Sequence, residues 1–320
     1  MKGRATSPRA PQEQSQNHLS SARPEACSRV LLGVAPCQSQ GNLPNYFLAD
    51  LPPEATITAT MLTEAAQTLR RNRQQYLAHL PTPTIIDTLS EVAHNWLDPQ
   101  DPFRLMALDL GPAALGFSPP TLAHGLDTFF RRLTYDDLTS FVLQELGHPE
   151  RMDRFTVTEP ELKSKRSAIA RGPELLLHFT AGNVPPPALL SIILGFLMRS
   201  AQFVKCARQT SLLPRLFAHS LYAVEPKLAS CLEIAEWPGG TVSLEDALIA
   251  QADCVTATGS NETLAAIRHR LPSHVRFVGY GHRVSFGFVA REALTRFHAR
   301  EIAARAAQDV AAWDQLGCLS

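Results

Sequence analysis

The residues with chemistry to offer are a few, and their spacing groups them. Gly182 and Asn183 follow an apolar run, Lys205 ends a second, Gly259 and Ser260 follow another, Gly279 to Arg283 read Gly-Tyr-Gly-His-Arg, and Cys318 stands behind Gly317 near the end of the chain. All but the last fall where a stretch of strand length stops. At such a point a small residue lets the backbone approach a ligand, and the free amides of a following helix face an anion. The chemistry on offer there is binding, with Lys205 adding a positive charge. Each feature also has a plainer account. Asn183 can cap a helix that Pro185 to Pro187 start, and Ser260 is an ordinary N-cap. Lys205 can be a solvated strand-end lysine, the paired glycines a bulged turn, and Cys318 a small inert hydrophobe instead of a nucleophile.

The elements that must position these residues are legible around them. From Glu174 to Arg208 the chain reads ELLLHFTAGNVPPPALLSIILGFLMRSAQFVKCAR. Two short apolar runs flank a helix-sized segment, the pattern of a strand, a tight turn, a helix and a parallel strand covered on both faces. The pattern repeats downstream. Strands are expected at Leu175–Phe179, Phe203–Lys205, Leu232–Glu236, Cys254–Ala257 and Val275–Val278, with helices starting near Pro186, Ser211, Ser243 and Ser260. Strict alternation predicts an α/β fold with a doubly wound, mostly parallel sheet, because right-handed crossovers place helices on both faces. Ligands of such sheets bind where the strands end. The G-x-G-x-x-G dinucleotide fingerprint is absent, so the pattern alone names no nucleotide.

Upstream the periodicity is helical. Met61, Leu62, Ala65, Leu69, Tyr76 and Leu80 recur at helix spacing, and amphipathic segments follow at Thr84–Leu97, Pro102–Leu110, Pro119–Leu133 and Tyr135–Leu146. Pro81, Pro99, Pro112 and Pro119 are expected to separate them, and Gly147 with Pro149 to stop the last. A short strand is expected at Val30–Val34, behind a Pro-, Ser- and Gln-rich N-terminal tail. A long helical pattern runs from Arg291 to Trp313.

Composition bounds the rest. With 320 residues, 45% of them apolar, the chain can bury a large core. Thirty basic residues balance 30 acidic ones, which gives no overall attraction to nucleic acid or to an anionic membrane. The longest apolar segment, near Ala188 to Met198, is shorter than the roughly 20 residues that span a bilayer. Six cysteines with no C-x-x-C pair and no zinc spacing argue against a metal site or a disulfide framework, and fit a reducing, cytoplasmic setting.

Taken together and in this order, the stretches RRNRQQYLAHL, NWLDP, LQELGHPE, HFTAGNVP, FVKCARQT, TATGSNET, GYGHRVSF and AAWDQLGCLS resemble the acyl-CoA reductase family, the LuxC-type fatty acid reductases of the aldehyde dehydrogenase superfamily. The resemblance implies an aldehyde-dehydrogenase-like fold. It divides the chain into a disordered tail over 1–29, a mainly helical module over 30–154, a Rossmann-like NAD(P)-binding domain over 155–313, and over 314–320 the start of a catalytic domain that continues in the family. It also implies roles. Cys318 takes the acyl group as a thioester, and Asn183 with the Cys318 amide forms the oxyanion hole. NADPH is the cofactor: Lys205 meets the adenosine ribose region, Gly259 and Ser260 lie along the pyrophosphate, and Gly182 and Gly281 border the site. Arg208 stands where NAD-dependent relatives carry a glutamate, and an arginine there can pair with a 2′-phosphate.

The implied reaction is reduction of a long-chain acyl-CoA, or of an acyl-protein donor, to the fatty aldehyde. A complex with an acyl-protein synthetase and acyltransferase, and a homo-oligomer for the full-length protein, are implied partners. Where oxidising relatives have a water-activating glutamate this chain reads Gly279-Tyr280-Gly281-His282, which protects a thioester from hydrolysis. Because the family continues past the nucleophile, the chain as given is expected to be inactive or nearly so. The rival readings are a noncatalytic nucleotide-binding fragment and an aldehyde-oxidising dehydrogenase.

Overall fold

The computed structural model describes residues 43–52, 54–182, 184–295 and 298–316. Its centre is a five-stranded parallel sheet: β1 (Leu175–Phe179), β2 (Ala201–Cys206), β3 (Leu232–Glu236), β4 (Cys254–Thr258) and β5 (Arg276–Tyr280), in the order β3-β2-β1-β4-β5. The helices in chain order are α1 (Ala59–Asn72), α2 (Thr82–Leu97), α3 (Pro102–Leu115), α4 (Pro119–Phe130), α5 (Tyr135–Leu146), α6 (Glu159–Lys163), α7 (Pro186–Leu197), α8 (Leu212–Val224), α9 (Pro226–Ala229), α10 (Val242–Ile249), α11 (Asn261–His269) and α12 (Ala299–Ala311). The five strands expected from Leu175 onward and the helix starts near Pro186, Ser211, Ser243 and Ser260 are present, with β2 extended at both ends and β5 shifted by one or two residues. The long helix expected from Arg291 to Trp313 is instead a short 3-10 turn at Arg291–Ala293, α12 and a further 3-10 turn at Ala312–Gln315. The fold is of the α/β class, built on a single parallel sheet. The described residues contain no helix long and apolar enough to cross a membrane. The expected strand at Val30–Val34 lies outside the described residues.

Alternation along each strand sorts side chains to two apolar cores. Leu175, Leu177, Phe179, Phe203, Val255 and Ala257 face one of them, together with Leu248 and Ile249 of α10 and Ile267 of α11. Val204, Cys206 and Ile234 face the other, where Ile192, Phe196, Leu213 and Phe217 of α7 and α8 meet them. Helix α1 joins the first core through Leu62, Ala66 and Leu69, so it covers the sheet directly. Helices α2 to α5 stack outside α7 and α8 through Trp96, Leu122, Phe130 and Leu138. Apolar positions three and four residues apart supply each of these faces.

Two helix ends behave as the local rules require. Gly116 and Gly147 take left-handed conformations (φ 80° and 73°) and close α3 and α5. Pro112 departs from its expected role as a separator and sits inside α3. It lies in the last turn, where few helical hydrogen bonds remain to be broken.

A polar chain crosses the second face. His178 Nδ1 lies 2.6 Å from Thr256 Oγ1 of β4 and Nε2 lies 3.0 Å from Gln202 Oε1 of β2, while Gln202 Nε2 donates to Ile192 O of α7 at 3.0 Å. Burial pushes the His178 imidazole down to about 4, so the ring is neutral at neutral pH.

Candidate functional site

The strand order reverses between β1 and β4, and the turns after those strands diverge there, Thr180–Gly182 toward β2 and Gly259–Ser260 toward β5. Such a switch point opens a crevice at the carboxyl edge of the sheet. Here it is a cleft of about 910 Å³, bordered by Gly182, Lys205, Gly259, Ser260 and Gly281 as well as by Glu245, Arg270, His282, Arg283 and Leu316. Five of the eight site residues expected from sequence therefore share one cavity. Arg208 is exposed in the turn after β2 and is not among the residues that border the cleft. Asn183 and Cys318 lie outside the described residues.

Lys205 is far from the solvated lysine that a strand end permits, since it is only 5% exposed. Its Nζ lies 5.8 Å from the centre of the Trp237 ring and makes no hydrogen bond or ion pair to another described residue. Burial lowers its pKa, and the nearby Glu245 carboxylate partly restores it. The indole N–H of Trp237 is likewise buried and has no partner among the described residues. Buried donors without acceptors cost stability unless something supplies the acceptor. Oxygens of a sugar or phosphate have that chemistry, so these residues fit a nucleotide cofactor.

The glycines act differently from one another. A Cβ on Gly182 would crowd Thr210, and one on Gly281 would overlap the Asn261 carboxamide, so both serve close contacts inside the protein. Gly259 has ordinary room, and its amide donates to Tyr280 O at 3.2 Å. Ser260 caps α11 by accepting from the Thr263 amide at 3.2 Å. Cap and ligand-facing turn are thus compatible in one residue.

Sequence reading missed Glu245 and Arg270. Glu245 is 4% exposed; it accepts from the Gly240 amide at 3.0 Å and pairs with Arg270 at 2.5 Å. Arg270 also binds Asp246 at 2.6 Å and Val242 O at 3.1 Å, which fixes the Gly239–Gly240 rim of the cleft. No motif marks either residue, because their meeting joins α10 to the residue after α11. The described cysteines offer no activated thiol: burial pushes Cys206 and Cys231 up to about 12 and raises Cys254 as well. The described residues hold no cluster of metal-ligating side chains.

A second cavity, of about 540 Å³, lies between α4, α5 and α7 with Trp313 at one end. The Trp313 ring sits against Gly125, where a Cβ would overlap it, and meets Phe117 edge-on at 5.1 Å. Trp313, Asp314 and Gln315 are all left-handed (φ 48°, 51° and 60°), an unfavourable conformation for such residues. Gln315 Nε2 holds the turn by donating to Val310 O at 2.6 Å. The turn carries the chain from the second cavity at Trp313 to the cleft at Leu316.

Comparison with known proteins agrees with this geometry. The family described as acyl-CoA reductase (LuxC) matches residues 77–320. A long-chain acyl-protein thioester reductase of Vibrio harveyi is 28% identical over 148 residues, covering 45% of this chain and 30% of that protein. One from Photorhabdus laumondii is 26% identical over 187 residues, covering 57% and 37%. The chain thus spans about a third of the length of these relatives. Among solved structures, proline utilization A with proline bound in remote sites superposes with a TM-score of 0.57 at 18% identity, over 71% of this chain and 22% of that one. Glyceraldehyde-3-phosphate dehydrogenase GapN from Methanocaldococcus jannaschii, complexed with NADP, gives 0.55 at 12% identity, over 72% and 48%. At these identities the likeness is one of fold.

Proposed function

The chain belongs to the acyl-CoA reductase (LuxC) family, and from that premise we propose that it forms the cofactor-binding half and carries the nucleophile of an NADPH-dependent reductase that converts a long-chain acyl thioester to the fatty aldehyde. One observation carries the reading: Leu316 borders the same cleft as Lys205, Gly259 and Ser260. Cys318 follows Leu316 by two residues, and two residues of chain reach at most about 7 Å.

In the proposed reaction the Cys318 thiolate attacks the carbonyl carbon of the incoming thioester, forming a new C–S bond. The original C–S bond breaks, and the donor leaves as a thiol after taking a proton. The Asn183 amide donates to the oxygen on which charge develops. Lys205, Gly259 and Ser260 hold the cofactor, which when bound supplies the hydride. Acyl-protein and acyl-CoA donors present the same thioester, and the names of the relatives favour the acyl-protein. Cys206, Cys231 and Cys254 are buried and burial raises each thiol, so they offer no activated nucleophile to compete with Cys318.

The test is acyl transfer from a radiolabelled tetradecanoyl thioester, followed by peptide mapping. Label on Cys318, abolished in Cys318→Ser, is the expected result, because a serine hydroxyl at neutral pH is not an equivalent nucleophile. Equal labelling of that variant would overturn the assignment. NADPH titration is the second arm, and absence of saturable binding would overturn the cofactor.

A further inference from the structure

We propose that Arg270 is a positioning residue: it holds the Glu245 carboxylate off Lys205 and so keeps the buried ammonium free for the cofactor. This rests on the cofactor site of the function proposed above. All three residues border the cleft. Lys205 and Glu245 are 5% and 4% exposed, and of the carboxylates near Lys205 that of Glu245 acts on it most strongly. Opposite charges in so poorly solvated a place attract, and a lysine has a flexible four-carbon stem with which to close a gap. Yet Lys205 makes no ion pair with Glu245 or with any other described residue, and its Nζ lies 5.8 Å from the centre of the Trp237 ring.

The reason lies in what else Glu245 touches. Its Oε1 accepts from the Gly240 amide at 3.0 Å, and its Oε2 lies 2.5 Å from Arg270 Nη1. Arg270 is fixed in turn: Nε and Nη2 donate to Asp246 Oδ1 at 2.9 and 2.6 Å, and Nη2 also donates to Val242 O at 3.1 Å. A planar guanidinium anchored in this way gives the Glu245 carboxylate one position, which an ammonium on a flexible stem would not. Both Glu245 oxygens are thereby committed to donors beside α10 and at the end of α11. The protons of Lys205 are left for an acceptor that no described residue supplies. The pairing also neutralises Glu245. A carboxylate released into the cleft would occupy Lys205 and repel the phosphates of a nucleotide, so loss of Arg270 harms binding twice.

A mere brace of the Gly239–Gly240 rim behaves differently, because removing the Glu245 charge as well would only loosen the rim further. Two measurements separate the cases: NADPH affinity by isothermal titration, and limited reaction of Lys205 with acetic anhydride, scored by peptide mass spectrometry against exposed Lys163. Only the free amine reacts, so an ion pair that holds the proton on Lys205 slows its acetylation, about tenfold for each step of one in pKa. Arg270→Met is expected to slow Lys205 acetylation relative to Lys163 and to weaken NADPH binding by roughly tenfold, the scale of a hydrogen bond to a charged group. Adding Glu245→Gln is expected to restore both to within about threefold of the wild type, the non-additivity of two residues in contact. Arg270→Lys, which keeps the charge but not the fork, is expected to show the same pattern at smaller size and stands in should Arg270→Met not fold. A double variant that binds NADPH as weakly as Arg270→Met, or Lys205 acetylation unmoved by the loss of Arg270, would overturn the proposal. So would failure of both single variants to fold, since Arg270 would then serve folding. Acetylation that behaves as expected in a protein with no saturable NADPH binding removes the proposed cofactor and keeps the restraint of Glu245 by Arg270.

Discussion

Lys205 and His178 are ionisable, buried and on neighbouring strands, yet the two faces of the sheet treat them oppositely. His178 is 2% exposed and both ring nitrogens have partners. Lys205 is 5% exposed and borders a cleft, with the Trp237 ring 5.8 Å from its Nζ and the Glu245 carboxylate nearby, but with no hydrogen bond or ion pair to a described residue. A satisfied buried group holds strands together. An unsatisfied one at the edge of a cavity is kept at a cost, and the cost is recovered when a ligand arrives. Burial alone does not separate structure from function here; the partner count does.

The sharpest way to break this comparison is to remove each group and read stability and binding separately. His178→Leu leaves the Thr256 hydroxyl and the Gln202 carboxamide without the ring, and at about 1–3 kcal/mol for each stranded group the loss should total about 4 kcal/mol. Urea denaturation measures it, and a change below about 1 kcal/mol would show that the network carries no stability.

The pH dependence is next in size. The native imidazole has its pKa pushed down to about 4, so between roughly pH 6.5 and 4 the unfolded chain binds the proton and the native protein does not. Stability from His178 is then fully present above about pH 6.5 and is lost as the pH falls toward 4, by about 3 kcal/mol. Glu233 works in the opposite sense. Burial pushes its carboxyl up to about 8, which removes stability as the pH rises from about 4.5 to 8. The readout is therefore the gap between wild type and His178→Leu, in which the Glu233 contribution cancels. That gap should narrow as the solution is acidified, and a gap constant from pH 7 to 4 would refute the assignment.

Lys205→Met should give the mirror image. Stability should hold or rise, because an unpaired buried ammonium is gone, while NADPH affinity should fall by about 2 kcal/mol, the scale of a hydrogen bond to a charged group. Isothermal titration with NADPH decides; retained affinity would return Lys205 to a purely structural role. Arg208→Glu should be the mildest of the four. An exposed charge contributes at most about 1 kcal/mol, so the preference for NADPH over NADH should change by less than about fivefold. A larger shift would bring Arg208 into the cofactor site despite its place outside the cleft lining.

Much of this was written locally. Leu175–Phe179 and Leu232–Glu236 are strands over the same bounds that their apolar runs mark, and Ser260, Gly147 and Pro186 begin or end helices where their side chains and backbone preferences require. The carboxyl-edge position of Gly182, Lys205, Gly259 and Ser260 followed from the same punctuation, because a parallel sheet brings all its strand ends to one edge. Those features depend on residues a few places apart, and a few places are what a sequence pattern can report.

What only the tertiary structure decided involves residues far apart. That α1 covers the sheet depends on Leu62, Ala66 and Leu69 meeting strands more than a hundred residues later. That Lys205 is buried depends on its packing near Trp237, and that Glu245 and Arg270 brace the cleft depends on α10 lying beside the end of α11. Trp313 reads as the tail of a helix until Gly125, on a different helix, makes room for its ring. Periodicity says which side of an element is apolar; only packing says what that side touches, and touching sets burial, partner count and the chemistry that remains free.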